Sequence, residues 1–268
     1  MQNLSQVQFE KFSKLIYGTV GIYFSPVKKD MLQVKVSRLL ERYEIDSYGE
    51  FYDILVSGRE PGLFNEFINE ITINKTDFFR EISHFEFIKN NLKYIMDKNP
   101  RIKKKGEIKV WSCACSTGEE PYTIGAVLKE YLEQDINIKI LATDVSSKVL
   151  VKAVRGTYPE IIKNEVEGYF LHKYFKKSDD GYMVADSIKD LITFRQFNLM
   201  NRFPFRSTFD MIFCRNVMIY FDYQVQQEVL NKLYEVLTQG GVLFIGHSEG
   251  LVNKRHRFQY VQPTIYVK

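Results

Sequence analysis

The sequence has 268 residues, of which 45% are hydrophobic and 26% are charged, and its formal net charge is +4. This composition is typical of a globular protein and excludes disordered, collagen-like and disulfide-stapled classes. At roughly 100–200 residues per domain, the length suits one large domain or two modest ones. The small positive charge does not by itself indicate a nucleic-acid partner.

Cysteine content and hydropathy indicate the compartment. Three cysteines, an odd number, fit a reducing environment better than a secreted one. The apolar runs are far shorter than the roughly 20 residues of a membrane span, and residues 1–14 contain no apolar signal core. We therefore expect a cytoplasmic protein without membrane insertion.

The first 73 residues are predicted to form a helical domain. Four apolar side chains recur at helical spacing on one face of a helix: Leu32, Val36, Leu39 and Tyr43. Three basic side chains recur on another face: Lys35, Arg38 and Arg42. A basic face of this kind either docks an acidic partner or is simply solvated, and solvation is the commoner outcome. A turn at 57–62 and a short helix at 63–73 are expected to follow.

Strands alternate with helices from about residue 107. Strands are predicted at 107–112, 138–143, 192–197, 209–214 and 242–246, helices at 119–132, 146–154 and 223–237, and a last edge strand at 264–267. We expect Gly240 and Gly241 to end the third of these helices. The alternation predicts a mostly parallel α/β sheet. Residues 156–190 are less regular and interrupt the pattern.

Ligands of a doubly wound sheet bind beyond the carboxyl ends of its strands. A turn of small residues, 112–118, follows the first strand and leads to Glu119 and Glu120. Asp144 follows the second strand, where a carboxylate can accept hydrogen bonds from ribose hydroxyls. The third strand is followed by Asn198 and Leu199, one polar and one apolar residue. The fourth strand is followed by two polar residues, Arg215 and Asn216. These positions predict a nucleoside site.

The first turn lacks the G-x-G-x-x-G pattern of dinucleotide-binding proteins, since Gly118 is its only glycine. Two carboxylates at the start of the next helix would repel a pyrophosphate and favour a cationic nucleoside. S-adenosylmethionine, with its ammonium and sulfonium charges, fits that description. The residues therefore favour a methyltransferase over a nicotinamide enzyme.

Four motifs stand in order along the chain: NKTDFFR at 74–80, WSCACSTGEEPY at 111–122, FCRNVMIYFD at 213–222 and GHSE at 246–249. Together they resemble the motifs of the CheR-type chemotaxis methyltransferases, which methylate glutamate side chains of chemoreceptors. The resemblance implies a Rossmann-like S-adenosylmethionine-dependent domain at 74–268, preceded by a small all-α domain at 1–73. It also implies a small β-subdomain, for which the irregular residues 172–192 are the candidate.

The resemblance also implies roles for individual residues. The implied cofactor contacts are Asn74, Thr76 and Arg80 closing the site, Glu119 at the methionine end, Asp144 at the ribose, Asn198 and Leu199 around the adenine, and Arg215 and Asn216 near the sulfonium. Glu120 is the second choice for the methionine end. Arg80 and Tyr220 are the implied catalytic residues, and for Tyr220 a core aromatic is the alternative.

The implied chemistry needs no general base and no metal. A glutamate side chain, with a pKa near 4.3, is already a nucleophilic carboxylate at neutral pH. Relatives that bind a receptor's C-terminal pentapeptide carry a glycine-rich turn in the β-subdomain, whereas residues 176–182 contain only Gly181. We therefore expect tether-free docking through the basic helix, at 28–42, and S-adenosylhomocysteine as the second product. A monomer without a nucleic-acid partner is expected.

Other patterns compete with this interpretation. Residues 246–250 match the G-x-S-x-G elbow of serine hydrolases, but no Asp or Glu follows them. Cys113 and Cys115 could bind metal, yet finger-like spacing is absent and buried thiols are the better interpretation. Basic runs at 103–105 and 254–257 keep nucleic-acid methylation open as an alternative. The second alternative is a module that binds S-adenosylmethionine without transferring its methyl group.

Overall fold

The computed structural model describes residues 3–251 and 254–268. The N-terminal part consists of four helices within these residues: α1 (Gln6–Val20), α2 (Lys29–Tyr43), α3 (Tyr48–Ser57) and α4 (Pro61–Ile71). Phenylalanines from α1, α3 and α4 fill the centre of this domain, where the rings of Phe12, Phe51 and Phe67 lie within 6.0 Å of one another. The predicted helical domain is therefore confirmed.

Helix α2 is the basic helix predicted from the sequence. Leu32, Val36 and Leu39 are fully buried, as their spacing predicted. Tyr43 is 41% exposed, so its assignment to the apolar face was wrong. The reason is local: Tyr43 is the last residue of the helix, and Glu44 ends it in a left-handed conformation.

The rest of the chain builds a second domain around a mixed sheet. In chain order its elements are α5 (Ser83–Lys98), α6 (Arg101–Lys105), β1 (Glu107–Cys113), α7 (Glu119–Tyr131), β2 (Asn137–Asp144), α8 (Ser147–Arg155), β3 (Thr157–Tyr158), α9 (Gly168–Tyr174), β4 (Phe175–Ser178), β5 (Gly181–Val184), α10 (Asp186–Lys189), β6 (Ile192–Gln196), β7 (Phe209–Cys214), α11 (Tyr223–Val236), β8 (Leu237–Ile245), β9 (Gln259–Gln262) and β10 (Ile265–Val267). The α/β prediction is thereby confirmed.

Within the described residues the main sheet has seven strands in the order β6-β2-β1-β7-β8-β10-β9. The pairs from β6 to β8 are parallel, whereas β10 pairs antiparallel with both β8 and β9. Alternate residues of β1 pack on opposite faces: Val110 faces α5 and α7, and Trp111 faces α11. Because both faces are covered, the central strands read as continuous apolar runs.

Two predictions about the last strands were wrong. Gly240 and Gly241 do not end a helix, because α11 already stops at Val236 and both glycines lie inside β8. Gly240 has φ +74° and passes against the carbonyl group of Lys98, where a side chain would collide. The strand at 264–267 exists as β10 but lies inside the sheet, since the unpredicted β9 forms the edge.

A smaller antiparallel sheet, in the order β3-β5-β4, follows α8. It begins at Thr157, earlier than the 172–192 range expected for a β-subdomain, because the two-residue strand β3 carries no alternation that a sequence pattern could reveal. None of the helices in the described ranges is both long enough and apolar enough to cross a bilayer.

The two domains are joined by direct hydrogen bonds. The hydroxyl of Tyr17 in α1 donates to Asp222 Oδ2 at 2.7 Å, and Asp222 is the N-cap residue of α11. The backbone N–H of Tyr23 donates to the carbonyl of Tyr220 at 2.8 Å. These contacts hold the end of α1 over the carboxyl ends of the central strands.

Candidate active site

A cavity that encloses about 910 Å³ of empty space and is partly open to solvent lies where the helical domain, residues 72–80 and the carboxyl ends of β1, β2 and β7 meet. Nine of the residues implied as functional line it together: Asn74, Thr76, Arg80, Asp144, Asn198, Leu199, Arg215, Asn216 and Tyr220. Residues that are 146 positions apart in sequence thus share one wall.

The turn between β1 and α7 shapes one end of the cavity. Ala114, Ser116 and Gly118 all have positive φ, so the chain folds tightly at this turn. The Ser116 hydroxyl donates to the carbonyl of Asn74 at 2.8 Å. This bond fastens the segment between the domains to the strand ends.

Asp144 is a rigid, buried carboxylate at the end of β2, with only 5% of its surface exposed. Its two oxygens accept hydrogen bonds from Ser116 N and Ser146 N, both at 2.9 Å. Burial raises the pKa of Asp144, and the backbone N–H groups around it partly oppose that rise. The carboxylate is therefore fixed in direction and keeps lone pairs for hydroxyl donors from the cavity.

The structure reverses the expected order of the two adjacent glutamates. Glu120 lines the cavity, and its carboxylate accepts hydrogen bonds from Ser112 Oγ at 2.6 Å and Arg215 Nη1 at 3.0 Å. Glu119 does not line the cavity, and both its oxygens lie within 2.8 Å of Thr117 Oγ1. Successive helical residues point about 100° apart, so only one of the two can face the strand ends.

Burial raises the pKa of Glu119 to about 7, against a smaller opposing effect from the Thr117 hydroxyl. This environment favours the protonated form of the Glu119 carboxyl group. Burial also raises the pKa of Glu120, while the Arg215 charge and the Ser112 hydroxyl lower it. Glu120 is accordingly the better candidate for an anionic group on the cavity wall.

Arg215 is buried between two carboxylates, with 2% of its side chain exposed. Its guanidinium lies 3.0 Å from Glu120 and 3.1 Å from Glu81, and Nη2 also donates to the carbonyl of Arg80. A buried charge of this kind is tolerated only when it is paired and hydrogen-bonded. Arg215 thus lines the cavity as a neutralised group.

Sequence reasoning missed Glu81, although it directly follows the motif residue Arg80. One oxygen of Glu81 accepts hydrogen bonds from Asn216 Nδ2 and His247 N, both at 3.1 Å. The other accepts from Nε and Nη2 of Arg215. An acidic residue immediately after NKTDFFR was the available signal, but its partners are more than 130 positions away.

Glu249 braces the loop after β7. Its carboxylate accepts hydrogen bonds from the backbone N–H groups of Asn216, Gly246 and Ile219 at 2.7, 2.7 and 3.2 Å. Asn216 has φ +56°, and these contacts over-determine that conformation.

Glu81, His84 and His247 are the group in the described part of the chain whose ligand-type atoms lie close enough, within 4.8 Å, to hold a metal ion. Each Glu81 oxygen already accepts two hydrogen bonds. Burial lowers the pKa of His84 to about 3, so its ring is neutral. The three cysteines are free and buried, as the interpretation of Cys113 and Cys115 as small apolar side chains requires.

Arg80 and Tyr220 stand on the cavity wall without a carboxylate partner. Arg80 Nη1 donates to the carbonyl of Lys75 at 3.0 Å, and among residues 3–251 and 254–268 its guanidinium makes no ion pair. Tyr220 is partly buried, and burial raises the pKa of its phenol. The cavity lining therefore includes a guanidinium that is not neutralised by a carboxylate and that lies near a protonated hydroxyl.

Asn198 and Leu199 divide their roles differently from the expectation. Asn198 Nδ2 donates to the carbonyl of Thr19 at 2.6 Å, and Oδ1 accepts from Met200 N at 2.9 Å. Its amide thus mainly ties α1 to the loop after β6, and only one N–H and one lone pair remain for an adenine edge. Leu199 is buried and offers its apolar side chain to the cavity.

The basic face of α2 is less free than the sequence suggested. Lys35 Nζ donates to the carbonyls of Glu70 and Thr72 at 2.5 and 3.4 Å, and burial lowers its pKa. Lys35 therefore caps the end of α4, where acceptor carbonyls lack helical partners, and its ammonium group is already engaged within the domain. The side chains of Arg38 and Arg42 remain 62% and 46% exposed, although each forms an ion pair with a carboxylate of α4, at 3.5 and 3.3 Å respectively.

Two family models match this chain. The model described as "CheR methyltransferase, SAM binding domain" matches residues 74–267, and "CheR methyltransferase, all-alpha domain" matches residues 8–72. A chemotaxis protein methyltransferase of Borreliella burgdorferi is 36% identical over 99% of this chain and 95% of its own length. The Escherichia coli chemotaxis protein methyltransferase is 34% identical over 98% of this chain and 91% of its own.

Solved structures give a weaker likeness. PKMT2 from Rickettsia typhi in complex with AdoHcy aligns with a TM-score of 0.34 and 15% identity, covering 52% of this chain and 21% of that one. At that TM-score the overlap bears on neither fold nor function. The full-length relatives and the two family models carry the assignment. The chain belongs to the CheR chemotaxis methyltransferase family and is an S-adenosylmethionine-dependent methyltransferase.

Proposed function

We propose that this enzyme methylates glutamate side chains of methyl-accepting chemotaxis receptors and forms glutamyl methyl esters. The observation that carries the proposal is the charge arrangement of the cavity. Asp144 and Glu120 supply negative charge to the cavity lining, and Arg80 adds a cation that makes no ion pair within the described residues. An anionic substrate group and a cationic methyl donor would each find an opposite charge there.

The cavity suits S-adenosylmethionine and, after transfer, S-adenosylhomocysteine. Asp144 would accept hydrogen bonds from the ribose, Leu199 would pack on the adenine, and Glu120 would attract the ammonium group. Asn74, Thr76 and Asn216 would line the remaining wall. When bound, the cofactor supplies an electrophilic methyl group on a sulfonium. The proposed reaction requires no metal.

The chain's own part in the transfer is orientation. A glutamate carboxylate is ionised at neutral pH and needs no base to act as nucleophile. Arg80 and the Tyr220 hydroxyl would hold it by a charge-assisted and a neutral hydrogen bond. Well-aligned reactants gain on the order of 7–11 kcal/mol from proximity. One arginine without an ion-pair partner can orient the substrate carboxylate. A second such cation would stabilise the carboxylate charge further and make it a weaker nucleophile.

Receptor docking is proposed through Arg38 and Arg42 on α2, without Lys35. The turn of the small sheet, between Ser178 and Gly181, contains two aspartates and one glycine, which supports docking that is independent of a pentapeptide tether. The partner would be the helical cytoplasmic bundle of a receptor, so we propose that the enzyme is cytoplasmic. We also propose that the enzyme is a monomer. Light scattering of the purified protein tests the monomer.

The decisive assay is transfer of label from methyl-labelled S-adenosylmethionine to a receptor cytoplasmic fragment. We expect label that is released by mild base as methanol, because methyl esters are base-labile. A fragment whose methylatable glutamates are replaced by alanine is the matched control and should remain unlabelled. Base-stable label, or label in the control fragment, would contradict the glutamate assignment.

The same assay separates the alternatives left by the sequence. Methylation of DNA or RNA would put the label in nucleic acid, with binding that weakens steeply as salt rises. Tight cofactor binding without label in any receptor would indicate a binding module. The unpaired Arg80 beside Tyr220 favours transfer, because a module that only binds would not need an oriented cation.

A further inference from the structure

We infer that Glu81 is a positioning residue that neutralises Arg215 and thereby raises the affinity of the cavity for the cationic cofactor relative to its net-neutral product. The inference rests on the cofactor assignment made in the proposed function. It concerns a residue outside the nine predicted cavity residues. It also gives the buried carboxylate–arginine–carboxylate network a role beyond holding the fold together.

The network contains one cation between two anions. Arg215 lies 3.0 Å from Glu120 and 3.1 Å from Glu81, and the side chains of the two glutamates are only 13% and 11% exposed. Interactions between buried charges are screened far less than those at the surface. With both carboxylates ionised, the group carries a net charge of −1 at the cavity wall.

Glu81 is held so that it cannot turn away from Arg215. Its four hydrogen bonds, two on each oxygen, use the full acceptor capacity that a carboxylate normally has. Its backbone has φ +57°, which is uncommon for a residue with a long side chain and indicates that the surroundings impose it. Burial opposes ionisation, but the His247 N–H, Arg215 and Asn216 lower the pKa of Glu81 overall.

This arrangement separates the two arginines of the site. The positive charge of Arg215 is neutralised by two carboxylates, whereas Arg80 makes no ion pair within the described residues. Without its carboxylate partners, the charge of Arg215 would repel the sulfonium of the cofactor and compete with Arg80 for the substrate carboxylate. S-adenosylmethionine and S-adenosylhomocysteine differ by the methyl group and the positive charge it brings, so their affinity ratio reports the local field.

The test is calorimetric titration of both ligands into the full chain and its Glu81→Gln variant. We expect affinity for S-adenosylmethionine to fall about tenfold more than affinity for S-adenosylhomocysteine, the order expected when one unit charge is lost near a charged ligand in a partly screened site. Glu81→Asp keeps the charge and should restore most of the ratio. A purely structural role would weaken both ligands equally.

Asp210→Asn is the matched control for loss of a buried ion pair. Asp210 is fully buried, pairs with Arg101 and lies at the opposite end of β7, so its loss should lower stability and leave the ratio unchanged. If Glu81→Gln does not fold, Glu120→Gln removes the second anion of the same network. That variant should lower the ratio in the same direction.

The outcomes separate this inference from the cofactor assignment. If Asp144→Asn loses affinity for both ligands but neither glutamine variant changes their ratio, the role of Glu81 is refuted and the cavity assignment survives. If Asp144→Asn binds both ligands as tightly as the parent protein, the cavity is not the cofactor site. A tenfold fall of the ratio in Glu81→Gln, absent in Asp210→Asn, supports the inference.

Discussion

Glu119 offers a quantitative test of the site because its environment opposes its charge. The carboxyl group lies behind the cavity wall with one hydroxyl, Thr117 Oγ1, within 2.8 Å of both its oxygens. A protonated carboxyl or a glutamine amide can donate to and accept from that hydroxyl, whereas a carboxylate can only accept. Replacing Glu119 by Gln should therefore stabilise the fold at a pH where the glutamate ionises.

The sign and size follow from the pKa of Glu119, which burial raises from 4.5 to about 7. Below pH 4.5 the group is protonated in both folded and unfolded chains, so the substitution gains little. Between pH 4.5 and 7 the unfolded chain releases its proton more readily, which destabilises the fold. Above pH 7 the gain from Glu119→Gln should level off at roughly 2–3 kcal/mol, from about 1.4 kcal/mol per pKa unit and some solvent screening.

Urea unfolding at pH 5 and pH 8 measures this gain. Glu133→Gln, an exposed position just after α7, controls for the loss of one surface charge and should change little at either pH. A gain that is equal at both pH values, or a loss at pH 8, would refute the reasoning. We also expect Glu119→Gln to keep its cofactor affinity and Glu120→Gln to lose it; the reverse would restore the original expectation for Glu119.

Three further substitutions test other parts of the structure. Asp144→Ala should weaken S-adenosylmethionine binding at least tenfold, because a fixed ribose acceptor is lost; unchanged affinity in calorimetry would remove Asp144 from the ribose site. Tyr17→Phe removes the hydrogen bond to Asp222 and should cost about 1.5–3 kcal/mol of unfolding free energy, the usual value for a bond to a charged group; a loss below 0.5 kcal/mol in urea titrations would show that this tie between the domains is weak. Arg38→Glu should lower receptor methylation while sparing cofactor affinity, and an equal loss of both would mean that α2 acts only as a structural helix.

Local sequence patterns were sufficient for most of the architecture. The spacing of Leu32, Val36 and Leu39 predicted α2, and the apolar run from Phe209 to Cys214 predicted β7 without error. Polar residues just past the strands predicted where the cavity would form, because parallel strands carry their carboxyl ends to one edge. Long-range pairing was invisible, as the edge strand β9 and the glycines inside β8 illustrate.

What the sequence alone determined was nine of the residues that line the cavity, together with the family. What only the tertiary structure decided was how their charges are paired. Glu119 and Glu120 are adjacent and chemically identical, yet only Glu120 meets Arg215, which is 95 residues away. Lys35 and Arg38 share a helix, yet only Lys35 caps α4. Pairing of this kind depends on the direction of each side chain and on distant partners, which a local pattern does not contain.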